Sequence, residues 1–445
     1  MLILNPLRRR VRELRGFPLF PGSFPGVGHL PAIASDYLGL IRKAERDVGK
    51  FFWLKSGAVI ENLNCLDPEV FTIFKNKVTT STYLQGMLPD LFGTSLIAQD
   101  GPVHYHMRSA MNAPFLPRGL TAAEVGPLLA GMIERRIFEW REKGQVTVLA
   151  ETREMVLAIM FRLLGVPETN LSAWREHYEN FMLLALNLPL DVPGSPRRRG
   201  VRARDWLDEQ CLQFIHRARQ NPDDEGLLPA LVAGRDERGT GLSDRELLDN
   251  IRLLVLAGHE TSASTMAWMV IMMAQRPEVW DAVCAEATAA GGIPQSPKEL
   301  RAFPYAEAVF RETLRLHPPV ATDSRRVLSD FELGGRTVRQ GENVTISIMH
   351  FARDPDSYDR PDEFLPERWL GRNEAVSATE LVQFGGGPHF CLGYHLAWME
   401  IVQFAVALAL VMKGRDLRPA LVGPPPKIRY LPLLHPSPKT KIAFV

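Results

Sequence analysis

The stretch FGGGPHFCLG, Phe384 to Gly393, places one cysteine among four glycines, with His389 two positions before it. Cys391 has two plain readings, a flexible turn or a small buried hydrophobe. It also has a chemical reading, a ligand. It stands just before an expected helix, whose free N–H groups and positive end favour a thiolate. A thiolate in an apolar loop suits a soft metal centre, and thiolate is one of the known axial ligands of haem iron. The glycines let such a loop lie close to a flat macrocycle. The other cysteines, Cys65, Cys211 and Cys284, form no CxxC pair and suit neither a zinc site nor a disulfide framework. They read as buried small hydrophobes in a reducing compartment.

Two further stretches could do chemistry. In AGHETS, Ala257 to Ser262, an acid stands beside a hydroxyl inside an apolar pattern. Either Thr261 back-bonds within the helix while Glu260 faces solvent, or Thr261 loosens the helix, holds a water and works with Glu260 to supply protons. In ETLRLHPP, Glu312 and Arg315 sit three apart and share a helix face. Alone, such a pair reads as a surface salt bridge worth little.

These residues need elements to hold them. From about Asp67 to Leu316 the pattern is mostly helical. A run beginning at Ser243, with Glu246 at capping-box spacing, exceeds an ordinary globular helix and should cross the core. After Pro319 the alternating, turn-rich pattern predicts short strands and hairpins, as does KFFWLKSGAVIENL near the start. Asp354 to Gly387 reads as a long irregular segment, packed through Phe364, Trp369 and Phe384. The apolar run Ile401–Met412 is too short to span a bilayer and reads as a core helix. The outline is mainly α with a minor β part, one domain over 1–445 with a Pro/Gly/Arg-rich lead-in at 1–30.

Composition narrows the function. The 445 residues carry 52 basic and 51 acidic side chains, a net charge of +1, which argues against a nucleic-acid partner. No signal-peptide pattern is present, so a soluble cytoplasmic protein is expected. Arg8, Arg9, Arg10, Arg12 and Arg15 read first as a solvated tail. Weak contact with an anionic membrane surface is the second reading, shared by PRRRG at Pro196–Gly200.

The Cys391 stretch resembles the haem-binding loop of the cytochrome P-450 family, F-G-x-G-x-[HR]-x-C-x-G, at Phe384, Gly385, Gly387, His389, Cys391 and Gly393. Ala397 and Glu400 fit the helix that follows. AGHETS is similar to the family's [AG]-G-x-[DE]-T-[TS], and ETLR to its E-x-x-R pair. The resemblance implies a cytochrome P-450-type helical domain around a buried haem b ligated by Cys391. Ala257 and Gly258 would leave room for dioxygen, and Glu260 and Thr261 would deliver protons. His104 and Arg108 of GPVHYHMR, Arg325 rather than its neighbour Arg326, and His389 would meet the haem propionates. Arg368 of FLPERW would join Glu312 and Arg315 to brace the cysteine loop, with Trp369 where the family usually has Phe.

The activity implied is monooxygenation, which places one oxygen atom of dioxygen in an apolar substrate as a hydroxyl or epoxide. Electrons would come from a separate ferredoxin or flavodoxin with its reductase, docking near Cys391, since no flavin or iron–sulfur domain is visible. A monomer is expected. The substrate cavity is expected from Thr82–Gly93, Asn180–Gly194, Leu253–Ala257 and Pro319–Thr322. Their Leu, Met and Phe content suits a lipid, terpenoid, steroid-like or polyketide molecule, although such stripes are usually core. A peroxide-using or isomerising haem-thiolate enzyme is the alternative. Such relatives usually lack the acid–threonine pair that this chain keeps. A haem sensor and a metal-free helical interaction protein are more remote alternatives.

Overall fold

The computed structural model describes residues 16–57, 60–74, 77–186, 191–221, 224, 226–371 and 382–445. The basic positions 8–15 and part of the Asn180–Gly194 segment lie outside the described residues. Ten helices of more than ten residues frame the described chain. They are α1 (Leu30–Val48), α2 (Gly101–Phe115), α3 (Val125–Lys143), α4 (Val148–Leu163), α5 (Leu171–Phe181), α6 (Pro196–Gln220), α7 (Asp244–Gln275), α8 (Pro277–Ala290), α9 (Pro304–Leu316) and α10 (Tyr394–Lys413).

The axis of the molecule is α7. Its 32 residues at 1.5 Å each span about 48 Å. It starts where the spacing requires. The Ser243 hydroxyl accepts the Glu246 N–H at 3.3 Å, and the Glu246 carboxylate accepts the Ser243 N–H at 2.8 Å. Ala263 to Met273 are buried without interruption. A helix apolar all round must be enclosed, and α4, α6, α9 and α10 pack around it.

α10 is the second core helix. It is longer than its most apolar run. At 20 residues and a mean hydropathy of 1.7 it reaches the length and composition of a membrane span, yet 78% of that window is buried inside the protein. Phe404 is fully enclosed and meets the Trp140 ring edge-on at 5.8 Å.

Five strands form the main sheet: β1 (Phe51–Lys55), β2 (Glu61–Cys65), β3 (Thr79–Thr80), β4 (Thr322–Val327) and β5 (Asn343–Ser347). Their order is β1-β2-β5-β4-β3, with β2 and β5 parallel and the other pairs antiparallel. Alternation along β4 puts Asp323 and Arg325 on one face and Arg326 on the other. The irregular segment after Asp354 is packed, with Tyr358 and Phe364 buried, and forms a short 3-10 turn at Pro366–Trp369. Residues 372–381 of that segment lie outside the described residues. PRRRG is the first turn of α6, capped by Ser195, whose hydroxyl accepts the Arg198 N–H. Its arginines are engaged within the protein: Arg197 with Asp90, Arg198 with Asp191 and Arg199 with Asn180.

Candidate active site

The cysteine loop folds back on itself. The Cys391 N–H donates to the Phe384 carbonyl at 2.8 Å. Gly385 and Gly387 have φ of +76° and +58°, a left-handed conformation that favours glycine. A side chain at 387 would also strike the Phe74 carbonyl, so the loop lies pressed against that residue. Phe384 meets the Tyr394 ring edge-on at 4.8 Å. Cys391 is half-buried, whereas the other three cysteines are buried. Burial pushes its thiol up, opposed by the Gly393 N–H and the Arg108 charge. α10 begins three residues later, at Tyr394, and burial outweighs what reaches the sulfur. A coordinating metal would supply the missing bias.

Within buried α7, one stripe is less enclosed. Leu254, Ala257, Gly258 and Thr261 are partly or fully exposed at helical spacing, as are Leu256 and Glu260 beside them. The Thr261 hydroxyl donates to the Ala257 carbonyl at 2.6 Å, so the threonine is back-bonded on the open stripe. Glu260 is partly exposed and ion-paired. Its Oε2 accepts from Arg153 Nε at 3.1 Å and Nη2 at 2.8 Å, from α4. Gly258 has a packing role that the sequence reading missed. A Cβ there would come 2.9 Å from Met160 Sδ, so the missing side chain lets α7 and α4 approach.

Four basic side chains gather at one edge. His389 Nε2 donates to Asp100 Oδ1 at 2.8 Å and lies 3.2 Å from Ser81 Oγ. Its ring packs on His104, centroids 4.3 Å apart. His104 is buried and its Nε2 has no partner. Burial, then the His389 charge, pull His104 down to about 4, with Asp100 opposing. Burial pushes Asp100 up, but His389, Thr80 and the Ser81 N–H hold it well below the usual carboxylate range. Arg108 Nη1 donates to the Phe390 carbonyl at 2.5 Å. Arg325 is buried and bonded to Asp323 at 2.8 Å, while Arg326 leans over Tyr83 toward Gly341. Sheet register therefore sends Arg325, not Arg326, to the side of His389, whose charge Asp323 also feels.

Glu312 is the hub of a buried network. It takes both ends of Arg315 at 2.8 Å, the Leu365 N–H at 2.8 Å, Arg368 Nε at 3.1 Å and Trp369 Nε1 at 2.9 Å. Arg315 also donates to the carbonyls of Ala352, Pro361 and Glu363. Burial raises the Glu312 pKa, but these donors hold it below the ordinary value. Trp369 is thus more than an aromatic substitute, since its indole, unlike a phenyl ring, brings an N–H to this carboxylate.

The donor set fits a planar group with acidic side chains and one axial thiolate. It offers a half-open Cys391, open space where a Gly393 side chain would stand, an exposed Ala257, and a basic edge with the unpartnered His104 nitrogen. The cytochrome P450 family model matches residues 18–443. The chain belongs to the cytochrome P450 family. Cytochrome P450 BJ-4 homolog of Sinorhizobium fredii is 44% identical over 444 residues, 100% of this chain and 99% of that one. Cytochrome P450 BJ-4 of Bradyrhizobium diazoefficiens is 43% identical with the same coverage. A cyclooctat-9-en-7-ol 5-monooxygenase of Streptomyces melanosporofaciens is 29% identical over 90% of this chain and 89% of its own. Among solved structures, the retinoic acid-bound cyanobacterial CYP120A1 superposes with a TM-score of 0.82 at 25% identity, covering 96% of this chain and 99% of that one. This P450 is accordingly an oxidoreductase of the monooxygenase type, in a family whose cofactor is a cysteine-ligated haem.

Sequence reasoning missed several parts of this P450 site. The C-terminal segment 430–436 folds back over α7. Ser264 Oγ donates to the Leu434 carbonyl and the Leu434 N–H to that of Pro319, both at 2.7 Å. Nothing local in that segment announces the contact. Arg153 and Asp100 were equally silent, since their partners are 107 and 289 positions away. His259 lay in plain view inside AGHETS.

Proposed function

We propose that this P450 hydroxylates an apolar terpenoid or similar lipid, with Cys391 as axial ligand of haem b and Glu260 with Thr261 as the proton-delivery pair. The observation that supports this most is the back-bonded Thr261 beside the exposed Ala257 on the core-crossing helix, with an ion-paired acid next to the threonine. When bound, the haem supplies reductive activation of dioxygen and transfer of one oxygen atom. His104, Arg108, Arg325 and His389 would hold its propionates, and Phe384, Gly385 and Gly393 would shape the loop beneath it. Ala257 keeps the stripe low enough for a small molecule. The back-bonded Thr261 hydroxyl retains lone pairs that can accept from a water. Glu260, released from Arg153, would bring its proton to that water.

The substrate proposal rests on half-buried apolar side chains of the segments expected to line the cavity, Leu84, Leu88, Leu254, Val320 and Ala321. The cyclooctat-9-en-7-ol monooxygenase of Streptomyces and the retinoic acid bound to the cyanobacterial neighbour agree with it. Electrons would arrive from a separate ferredoxin or flavodoxin with its reductase. Screening terpenoids and fatty acids for a low-to-high spin shift finds the substrate, and no response from any apolar class defeats this assignment. With a surrogate ferredoxin and reductase, Thr261→Ala should consume reductant and release peroxide in place of product. A fully coupled variant would refute the proton role. Cys391→Ala should abolish the red-shifted Soret band of the reduced, carbon-monoxide-bound protein.

A further inference from the structure

His259 is a buried titratable group for which the proposed chemistry has no use, and its geometry is unusually determined. It projects from α7 away from the open stripe, between α4 and α5, and is 5% exposed. Its Nε2 lies 3.0 Å from the Arg153 carbonyl. A carbonyl only accepts, so Nε2 carries the hydrogen, and a neutral imidazole then presents a lone pair at Nδ1. That Nδ1 is buried, has no hydrogen-bond partner and faces Glu260 Oε1 at 3.6 Å.

The other carboxylate oxygen, Oε2, is the one held by Arg153. Each oxygen of Glu260 therefore has its own neighbour, a permanent cation at Oε2 and a base at Oε1. Two more groups feel the Glu260 charge. Tyr178 of α5 meets the His259 ring edge-on at 5.5 Å, with its hydroxyl buried and unpartnered. His435 reaches the cluster from the C-terminal segment.

We propose that His259 is a positioning residue that loads Glu260 with its proton. A proton drawn from water adds to Nδ1 and gives an imidazolium whose Nδ1–H points at Oε1. The N–H bond then breaks as an O–H bond forms at Oε1. The imidazole returns to neutral, and a neutral carboxylic acid stands beside Thr261. No electron moves. Arg153 occupies Oε2, so a proton enters at Oε1, on the side where the base sits. Burial first, then the Arg153 charge, keep the imidazole below its ordinary pKa against the pull of Glu260, which makes it a carrier and not a store.

This rests on reading Glu260 and Thr261 as the proton-delivery pair, and the tests separate the two. Nitrogen-15 histidine NMR of the reduced, carbon-monoxide-bound holoprotein should show His259 neutral with its hydrogen on Nε2 at pH 7. A hydrogen on Nδ1 overturns the proposal. His259→Gln keeps an N–H for the Arg153 carbonyl but cannot titrate. The dithionite-reduced holoprotein mixed with dioxygen should return to the ferric state severalfold more slowly in that variant. Its pH dependence between 6 and 8 should flatten and its D₂O effect should grow, with thermal stability unchanged. If Glu260→Gln slows this return and His259→Gln leaves rate, pH profile and isotope effect as they were, the His259 proposal alone fails. If Glu260→Gln has no effect, the proton-delivery reading fails and takes this one with it.

Discussion

Glu312 shows how much one carboxylate can organise. Buried and paired, it costs desolvation, and only a full set of donors offsets that cost. Arg315, Arg368, Trp369 and the Leu365 N–H form such a set. The E-x-x-R spacing was legible, and so was Arg368. The indole contribution was not, because a tryptophan in place of phenylalanine reads as the same shape until its nitrogen is placed. Trp369→Phe should lower stability by about 1.5 kcal/mol, the low end for a hydrogen bond to a charged group, since four other donors remain. Urea denaturation measures it, and no change would mean that the indole contact is idle.

Between elements, the loop carrying Tyr83–Met87 and Pro89–Phe92 is tied to the start of α6. Asp90 lies 3.1 Å from Arg197 and 2.5 Å from Arg204. One turn further on, Asp249 of α7 accepts the Thr94 N–H and hydroxyl, both at 2.8 Å, and pairs with Arg252. The second tie centres on the fully buried Asp249 and anchors the loop, while the first is partly exposed and can open. Partly exposed pairs contribute at most about 1 kcal/mol and weaken with salt. Asp90→Asn should therefore change stability little, yet speed imidazole binding to the holoprotein and remove its dependence on ionic strength. Stopped-flow mixing at low and high salt checks this, and an unchanged salt dependence would exclude the tie as a gate. None of these pairs was readable from the chain, because opposite charges scattered over a helical sequence do not state their partners.

Across the whole molecule, the long helices, the capped start of α7, the alternating strands and the loop motif were legible because each is local. Where α7, α10 and the C-terminal segment meet was not, and it is there that Glu400 is buried. Burial lifts its carboxyl to about 8, opposed by a hydrogen bond with Ser262, and one of its oxygens has no partner. An unfolded glutamate titrates near 4.3. Between those values the folded chain holds one proton more than the unfolded chain, so this group makes stability fall as pH rises. Glu400→Gln, neutral at every pH, should gain on the parent protein from pH 5 to pH 8 by about one to several kcal/mol. Urea curves at both pH values test it, and a pH-independent difference would show that Glu400 is ionised in the fold.

The Trp369 indole has one more consequence. It places a fluorophore directly on the carboxylate that anchors the cysteine loop's support. A negative charge beside the indole nitrogen shifts its emission, so the loop's support carries its own optical reporter. Subtracting the Trp369→Phe spectrum from that of the parent isolates this one signal from the seven other tryptophans. Followed during slow acidification, it would show whether the support loosens before the helices melt.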